Sequence, residues 1–271
     1  MRGDFHMHST HSDGKLTVEE VIQEVKNKGL SWFSITDHDN LDGSLNAIEL
    51  ANKNGLNLIV GLELSTFYNN ESIHVLGYFP TLDKIHFINS FLHDMRAKRK
   101  KRAFDIKDKL FQHFNIDLNM ERLEKMPTIT RASISSEIIR QGYPYTKKEI
   151  FERFIGADCP AYIPSTNIST QIGIDIIKKA GGYPVIAHPV LYKKTKITEL
   201  IKMGITGIEA IYPANSSSET LYYKKIAKDE NLFITAGSDF HDFDDYKHGN
   251  IGDCYLEGED LKVFLEKLGK S

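Results

Sequence analysis

The chain reads as an α/β protein of repeated strand–helix units, interrupted once by an all-helical insertion. Two observations predict this. Short β-compatible runs alternate with runs whose apolar residues recur at helical spacing, the pattern of a parallel sheet or a (β/α) barrel. Histidines and carboxylates also cluster directly after the strand runs, where a barrel delivers groups from several strands to one face. The 271 residues suffice for one barrel-sized domain carrying an insertion.

Residues 5–8 form the first expected strand. Thr17 then opens a helix, with Glu20 completing a capping-box pattern; Val18, Val21, Ile22 and Val25 follow at helical spacing and Gly29 supplies the stop. Residues 32–36 predict a second strand, 44–53 a helix ending near Gly55, and 56–62 a third strand. The polar stretch 69–72 suggests a hairpin-like link into a fourth strand at 73–79. From 83 to 164 the pattern is helical, with no convincing strand. Alternation resumes with a helix at 169–180, a strand at 183–187, a helix at 197–203, a strand at 207–211, a helix at 217–231, a strand at 233–236 and a last helix at 258–268. Two segments, 1–82 and 165–271, are therefore expected to form one barrel around an inserted helical subdomain, 83–164.

Composition excludes little. The chain is 41% hydrophobic and 26% charged, with a net charge of −3 that argues neither for nor against nucleic acid. Cys159 and Cys254 lack metal-type spacing and point to a reducing compartment rather than a disulfide framework. No apolar run reaches the ~18 residues of a membrane span, and the N-terminus lacks the apolar core of a secretion signal. A cytoplasmic protein without membrane partners is expected; oligomeric state is not readable.

The chemistry-bearing residues are His6, His8, Asp13, His38, Glu63, His74, His188, Asp239 and His241. His6 and His8, two apart in a strand, leave the same face and can reach one metal. Asp239 and His241 repeat that spacing after the strand at 233–236. Asp13 follows the first strand, His38 the second and His188 the fifth; Glu63 closes the third, and His74 sits on the fourth. Imidazole with carboxylate suits zinc, manganese or iron rather than calcium. Singly, each has a bland reading: His74 as an outward strand residue, the others as loop residues. Their joint placement favours a metal cluster. Asp37 and Asp39 are read as turn or cap residues. His86, His93, His113 and His248 are read as surface residues, and His11 lies outside the strand pairing.

The motifs His6-Met7-His8 with Ser12-Asp13-Gly14, Thr36-Asp37-His38-Asp39, Glu63, His74, Ala187-His188-Pro189 and Gly237-Ser238-Asp239-Phe240-His241 span nearly the whole chain. In these the sequence resembles the PHP (polymerase and histidinol phosphatase) family of metal-dependent phosphoesterases. The resemblance implies a distorted (β/α)7 TIM-like barrel holding two or three divalent ions (manganese, zinc or iron). It implies a first ion on His6, His8, Glu63 and Asp239, a second on Asp13, His38 and His241, and a third on Glu63, His74 and His188.

Three such ions against Asp13, Glu63 and Asp239 leave a nominal charge of about +3, suited to a phosphate monoester of about −1.5 to −2. A metal-bound water, its pKa lowered toward ~7, would be the nucleophile, with no separate catalytic side chain. The insertion resembles that of PHP members that hydrolyse nucleoside 3′,5′-bisphosphates and trim short oligonucleotides. The likeness lies in Thr130-Arg131, Phe154-Ile155-Gly156, Ala161-Tyr162-Ile163-Pro164, Lys179-Ala180-Gly181-Gly182 and His188-Pro189. It implies Arg131 as a phosphate clamp and places Ser133 at the substrate, where that subgroup commonly carries His. Leu191 stands where the subgroup has a second phosphate-binding arginine, with Lys193 or Lys194 as possible replacements.

The basic run from Arg96 to Arg102 is read as a solvated helix face without the aromatics of a strand-binding platform, so long nucleic acid is not expected. The expected activity is hydrolysis of a phosphate ester of a small metabolite, with a nucleotide as first candidate. Its rivals are a cyclic-phosphate diesterase, a sugar or histidinol phosphate phosphatase, a non-catalytic PHP accessory module and, on shared architecture alone, an amidohydrolase.

Overall fold

The computed structural model describes residues 1–126, 129–164, 168–245 and 247–270. The expected segment boundary at 165 falls at residues 165–167, outside the described residues. The chain runs β1 (Arg2–Asp4), α1 (Val18–Asn27), β2 (Trp32–Phe33), α2 (Asp42–Lys53), β3 (Asn57–Leu58), β4 (Val60–Tyr68), β5 (Glu71–Phe79) and α3 (Ile85–Phe114). It continues with α4 (Glu121–Glu124), α5 (Arg131–Arg140), α6 (Lys147–Ile150), a π-helical turn (Phe151–Ile155) and α7 (Thr170–Lys179). Then come β6 (Tyr183–Ile186), a 3-10 turn (Pro189–Leu191), α8 (Ile197–Lys202), β7 (Gly207–Ile211), α9 (Ser217–Asp229), β8 (Phe233–Ala236), β9 (Leu256–Glu257) and α10 (Gly258–Lys267).

Local chemistry accounts for most element ends. The Thr17 side chain accepts from the Glu20 amide, and the Glu20 carboxylate accepts from the Thr17 amide at 2.8 Å, forming the expected capping box of α1. The buried face of α1 is Val18, Val21, Ile22 and Val25. Asn69 and Asn70, at φ 50° and 56°, supply the left-handed turn that joins β4 to β5.

The strands pair in two sheets, ordered β3-β2-β1-β9 and β4-β5-β6-β7-β8. Most neighbours are parallel, as the alternating pattern predicts, but β5 runs antiparallel to both β4 and β6, and β9 antiparallel to β1. This departs from an all-parallel sheet because the two-residue Asn turn leaves no crossover helix between β4 and β5. The third strand also runs on past Glu63, since 65–68 find ladder partners at 71–74. Residues 5–8 lie beyond β1 in extended backbone: the Phe5 amide donates to Ala236 at 3.0 Å and the His8 amide to Phe240 at 2.8 Å. Isolated parallel bridges, Met7 to Phe240 and His38 to Glu63, link the two sheets beside the candidate site.

The hydrophobic interior divides in three. The largest cluster lies under β4–β8 and includes Leu62, Leu64, Val75, Tyr78, Ile186, Ile208 and Phe264. A second, with Met7, Val21, Phe33, Ile35 and Phe240, packs α1 and α2 on the other sheet. The third belongs to 103–163 alone, with Ile106, Leu110, Leu118, Ile134, Ile138 and Phe154 buried together.

Candidate metal centre

Histidines from four other chain segments converge on Glu63, which is fully buried in β4. Its Oε1 lies 2.8 Å from His74 Nδ1 and 3.0 Å from His188 Nε2. Its Oε2 lies 2.9 Å from His38 Nδ1, 3.3 Å from His8 Nε2 and 3.4 Å from His6 Nε2. Both His6 and His8 approach Asp239 Oδ1 at 3.1 Å, as their two-residue spacing requires. Asp13 stands 3.4 Å from His241 Nε2 and 4.0 Å from His38 Nε2. All nine residues expected at the cluster are therefore brought together. The reversed strand explains how His74 joins: β5 begins where β4 ends, so Ser65 pairs with His74 and its ring reaches back to Glu63.

Ligand-type atoms gather in several groups tight enough for an ion: His6, His8, Glu63 and Asp239; His8, Asp13, His38 and His241; and His38, Glu63 and His74. The donor set fits metal on a second ground. Asp13 Oδ1 and Glu63 Oε2 are buried and accept no hydrogen bond of good geometry, although imidazole nitrogens surround them. Uncompensated buried carboxylate oxygens are costly, and shared cations remove that cost. The charges of the metal-free cluster already lean this way. Burial alone would raise Glu63, yet His38, His74 and His6 hold its carboxyl well below the usual range. Burial would lower His8, but Asp239 and Glu63 push it up to about 10.

Outside these nine, residues read otherwise from the sequence, or not singled out, support the cluster. Glu209 on β7 is buried; its Oε1 faces His6 Nδ1 at 2.9 Å and its Oε2 accepts from the His188 amide at 2.7 Å. It fixes the ring of one ligand and the backbone of another. The glutamate within the apolar strand Gly207–Ile211 was the available clue. Asp37 is more than a turn residue: its buried carboxylate accepts from the Ser9 amide, Ser9 Oγ and Ser12 Oγ, each at 2.7 Å. Asp39, at φ 49°, accepts from the Ser65 amide at 2.8 Å and pairs with Arg99.

His248 is no surface residue either; its Nε2 lies 3.6 Å from Asp239 Oδ2, with Asp245 at 2.8 Å from Nδ1. Tyr212 donates to the same Asp239 oxygen at 2.9 Å. His86, His93 and His113 are exposed as expected, and His11 contacts Asn46 rather than the cluster. Two ligand positions are conformationally demanding. His188 sits at φ 25° and Asp239 at φ 53°, uncommon for residues with a side chain and held here by the surrounding contacts.

A cavity of about 330 Å³ opens beside the cluster. Its lining combines Asp13, His38 and His74 of the cluster with Arg99, Arg102 and Arg131. Arg131 is stacked between Phe151 and Tyr162, with its guanidinium carbon 5.7 and 5.5 Å from the ring centres. Ser133 does not line this cavity. Its hydroxyl donates to the Thr130 carbonyl at 2.8 Å and accepts from the Thr130 amide at 2.9 Å, completing the N-terminal cap of α5. The solvated-face reading of the basic run fails at two positions: Arg99 and Arg102 are buried at 6% and 8% exposure, because that face of α3 turns toward the cavity. Lys98, Lys100 and Lys101 remain exposed. A larger cleft, about 670 Å³, lies between Tyr212 and Cys254, but no arginine, lysine or histidine lines it.

A family model described as the PHP domain matches residues 4–153. Among curated proteins, a 5′-3′ exoribonuclease of Haemophilus influenzae is 29% identical over 247 residues, spanning 88% of this chain and 89% of that one. A 3′,5′-nucleoside bisphosphate phosphatase of Chromobacterium violaceum is 27% identical over 246 residues, spanning 88% and 86%. A solved structure from Bifidobacterium adolescentis, assigned as a metal-dependent phosphoesterase, superposes with a TM-score of 0.83 at 27% identity and covers 98% of this chain and 96% of that one. No helix among the described residues is long and apolar enough to cross a membrane.

Proposed function

Because the chain belongs to the PHP family of metal-dependent phosphoesterases, we propose that it hydrolyses a phosphate ester of a small nucleotide. The observation that carries this reading is one cavity lined both by Asp13, His38 and His74 of the cluster and by Arg131. A phosphate there would be within reach of both the metal-ligand residues and a guanidinium. The substrates named for the Haemophilus and Chromobacterium relatives, RNA ends and nucleoside bisphosphates, agree with such a site.

In this reading His6, His8, Glu63 and Asp239 hold one divalent ion; Asp13, His38 and His241 a second; Glu63, His74 and His188 a third. When bound, such ions supply Lewis-acid polarisation of the phosphoryl group and an acidified water. The chain's own residues do the rest. Glu209 holds His6 and His188 in place, Asp37 fixes the loop bearing Asp13, and Arg131 orients the phosphate, its guanidinium held flat by Phe151 and Tyr162. The water oxygen bonds to phosphorus, the ester P–O bond breaks, and the departing alcohol oxygen takes a proton.

The same reading assigns architecture. The two inter-sheet bridges support a distorted seven-stranded barrel, formed by the segments around residues 2–8, 32–38 and 57–68 together with β5, β6, β7 and β8. The separate hydrophobic cluster of 103–163 supports 83–164 as a recognition subdomain.

The test is turnover by the full chain after loading with manganese, zinc or iron, with metal content measured alongside. The panel comprises nucleoside mono- and bisphosphates, short oligonucleotides, cyclic diesters and sugar and histidinol phosphates. Nucleotide monoesters or short oligonucleotide ends are expected to turn over fastest. Rapid cleavage of a cyclic diester with nucleotides inert would replace the substrate assignment. Metal-replete protein that hydrolyses no phosphoester would overturn the function.

A further inference from the structure

We infer that Asp239, His241 and His248 form a further divalent-metal position at the outer edge of the cluster, an alternative to the second ion's place through which that ion is loaded. The inference rests on the multi-ion reading above and adds His248 to the ligands.

Asp239 presents its two oxygens to different sides. Oδ1 lies 3.1 Å from both His6 Nε2 and His8 Nε2, which belong to the first ion's set. Oδ2 accepts from the Tyr212 hydroxyl at 2.9 Å and stands 3.6 Å from His248 Nε2. That gap is too wide for an N–H···O hydrogen bond, which spans about 2.7–3.2 Å. It suits two atoms sharing an ion, because ligands about 2.1 Å from a tetrahedral metal stand about 3.4 Å apart. Tyr212 does not block this, since a carboxylate oxygen accepts more than one partner. Ligand-type atoms of Asp239, His241 and His248 all lie within 4.8 Å of one another.

His248 is held as a metal ligand is held. Its Nδ1 lies 2.8 Å from Asp245 Oδ2, and Asp245 Oδ1 accepts from the Lys247 amide at 2.9 Å. A carboxylate on one ring nitrogen fixes the tautomer and leaves the lone pair on the other. Here that other nitrogen is the one facing Asp239. The rings of His8, His241 and His248 form a stacked row, with centres 4.1 and 4.5 Å apart. Along it the side chains are 0%, 13% and 22% exposed, so His248 is the end that meets solvent.

His241 Nδ1 lies 2.7 Å from the Asp239 carbonyl, which leaves Nε2 as its metal-facing nitrogen. One lone pair serves one ion at a time. An ion on Asp239, His241 and His248 therefore excludes one on Asp13, His38 and His241, and the more exposed place precedes the buried one. None of Asp239, His241 and His248 lines the 330 Å³ cavity, so an ion can occupy this position without filling the substrate's space.

The test is equilibrium dialysis of the chelator-stripped full chain against cobalt(II), with bound metal counted by mass spectrometry. Asp13→Asn/His38→Gln leaves only His241 of the second set, yet should bind as many ions as wild type, because the outer position keeps one. Adding His248→Gln should lower the count by one. Loss of an ion from the double variant already, or equal counts in the double and triple variants, would overturn the inference. Circular dichroism checks folding. If the double variant does not fold, His248→Gln alone decides: it should slow cobalt uptake about tenfold, the lower end of what one metal-supporting side chain contributes, with the final count unchanged. Uptake at the wild-type rate would overturn the inference. Cobalt-loaded wild type that hydrolyses no phosphoester would overturn the proposed function while leaving these counts readable. Wild type binding fewer than two ions would overturn the multi-ion reading, and the outer position with it.

Discussion

The part of the cavity wall that carries Asp13, His38 and His74 is gathered from loops and strands spread over the chain, whereas the part that carries Arg99, Arg102 and Arg131 comes from two helices of one contiguous segment. The first wall is heavily cross-connected: every carboxylate meets several imidazoles, and Glu209, Asp37 and Tyr212 brace it from behind. The second has fewer such cross-links, and Arg131 lies on the segment that packs around a hydrophobic cluster of its own. A wall tied at many points resists change, because moving one residue disturbs several contacts. Arg131, on the segment with its own hydrophobic cluster, can change with less disturbance to the metal-ligand residues than Arg99, which is tied to Asp39 and Ser65. On the proposed reading, this separates chemistry from substrate choice.

The largest test of that separation is Glu63→Gln. Glu63 lies within 3.4 Å of five histidines, so neutralising it should release metal and lower turnover by about 10³-fold or more. Metal content measured on the purified variant, together with turnover, checks this. Full metal occupancy with turnover near wild type would mean that the cluster does not organise around Glu63.

A smaller effect is expected at Glu209→Gln. The carboxylate touches no proposed metal position directly, but it orients His6 and the backbone of His188. Outer-shell partners of this kind are worth roughly 10–100-fold in metal affinity or activity. Titration of stripped variant with manganese, read by calorimetry, should show weakened affinity while KM moves little. An unchanged manganese affinity would reduce Glu209 to a packing residue.

The contrast between the walls also explains what the sequence disclosed. His6 with His8, and Asp239 with His241, were readable because two-residue spacing in extended backbone fixes a shared face. The Thr17 capping box and the Asn69-Asn70 turn were readable because both are local. Arg99 and Arg102 were hidden within an ordinary basic run: which face of α3 is buried depends on packing far away in sequence. His248 was hidden for the same reason, being positioned by Asp239 and Asp245 rather than by a strand. The continuation of β4 past Glu63 and the pairing of β9 with β1 depended on partners that no local pattern announces.

The smallest predicted effect lies in the helical segment and concerns acid. Glu137 on α5 is clamped by Arg140 at 2.5 Å, with Gln141 at 2.8 Å and Arg122 at 3.1 Å. Arg140 chiefly, against some opposing burial and with help from Gln141 and Arg122, draws its carboxyl down to about 2. An unfolded glutamate titrates near 4.3. The folded state therefore binds its proton later, and the stabilisation is present above about pH 4.3 and lost as pH falls toward 2. Both arginines are more than half exposed, so solvent and salt screen the clamp and the effect is modest. Thermal melting followed by circular dichroism between pH 2 and 6 should show wild type losing more stability on acidification than Glu137→Gln. The difference should shrink in high salt. Parallel melting curves for the two proteins would show that this clamp contributes nothing to holding the arginine-bearing wall together.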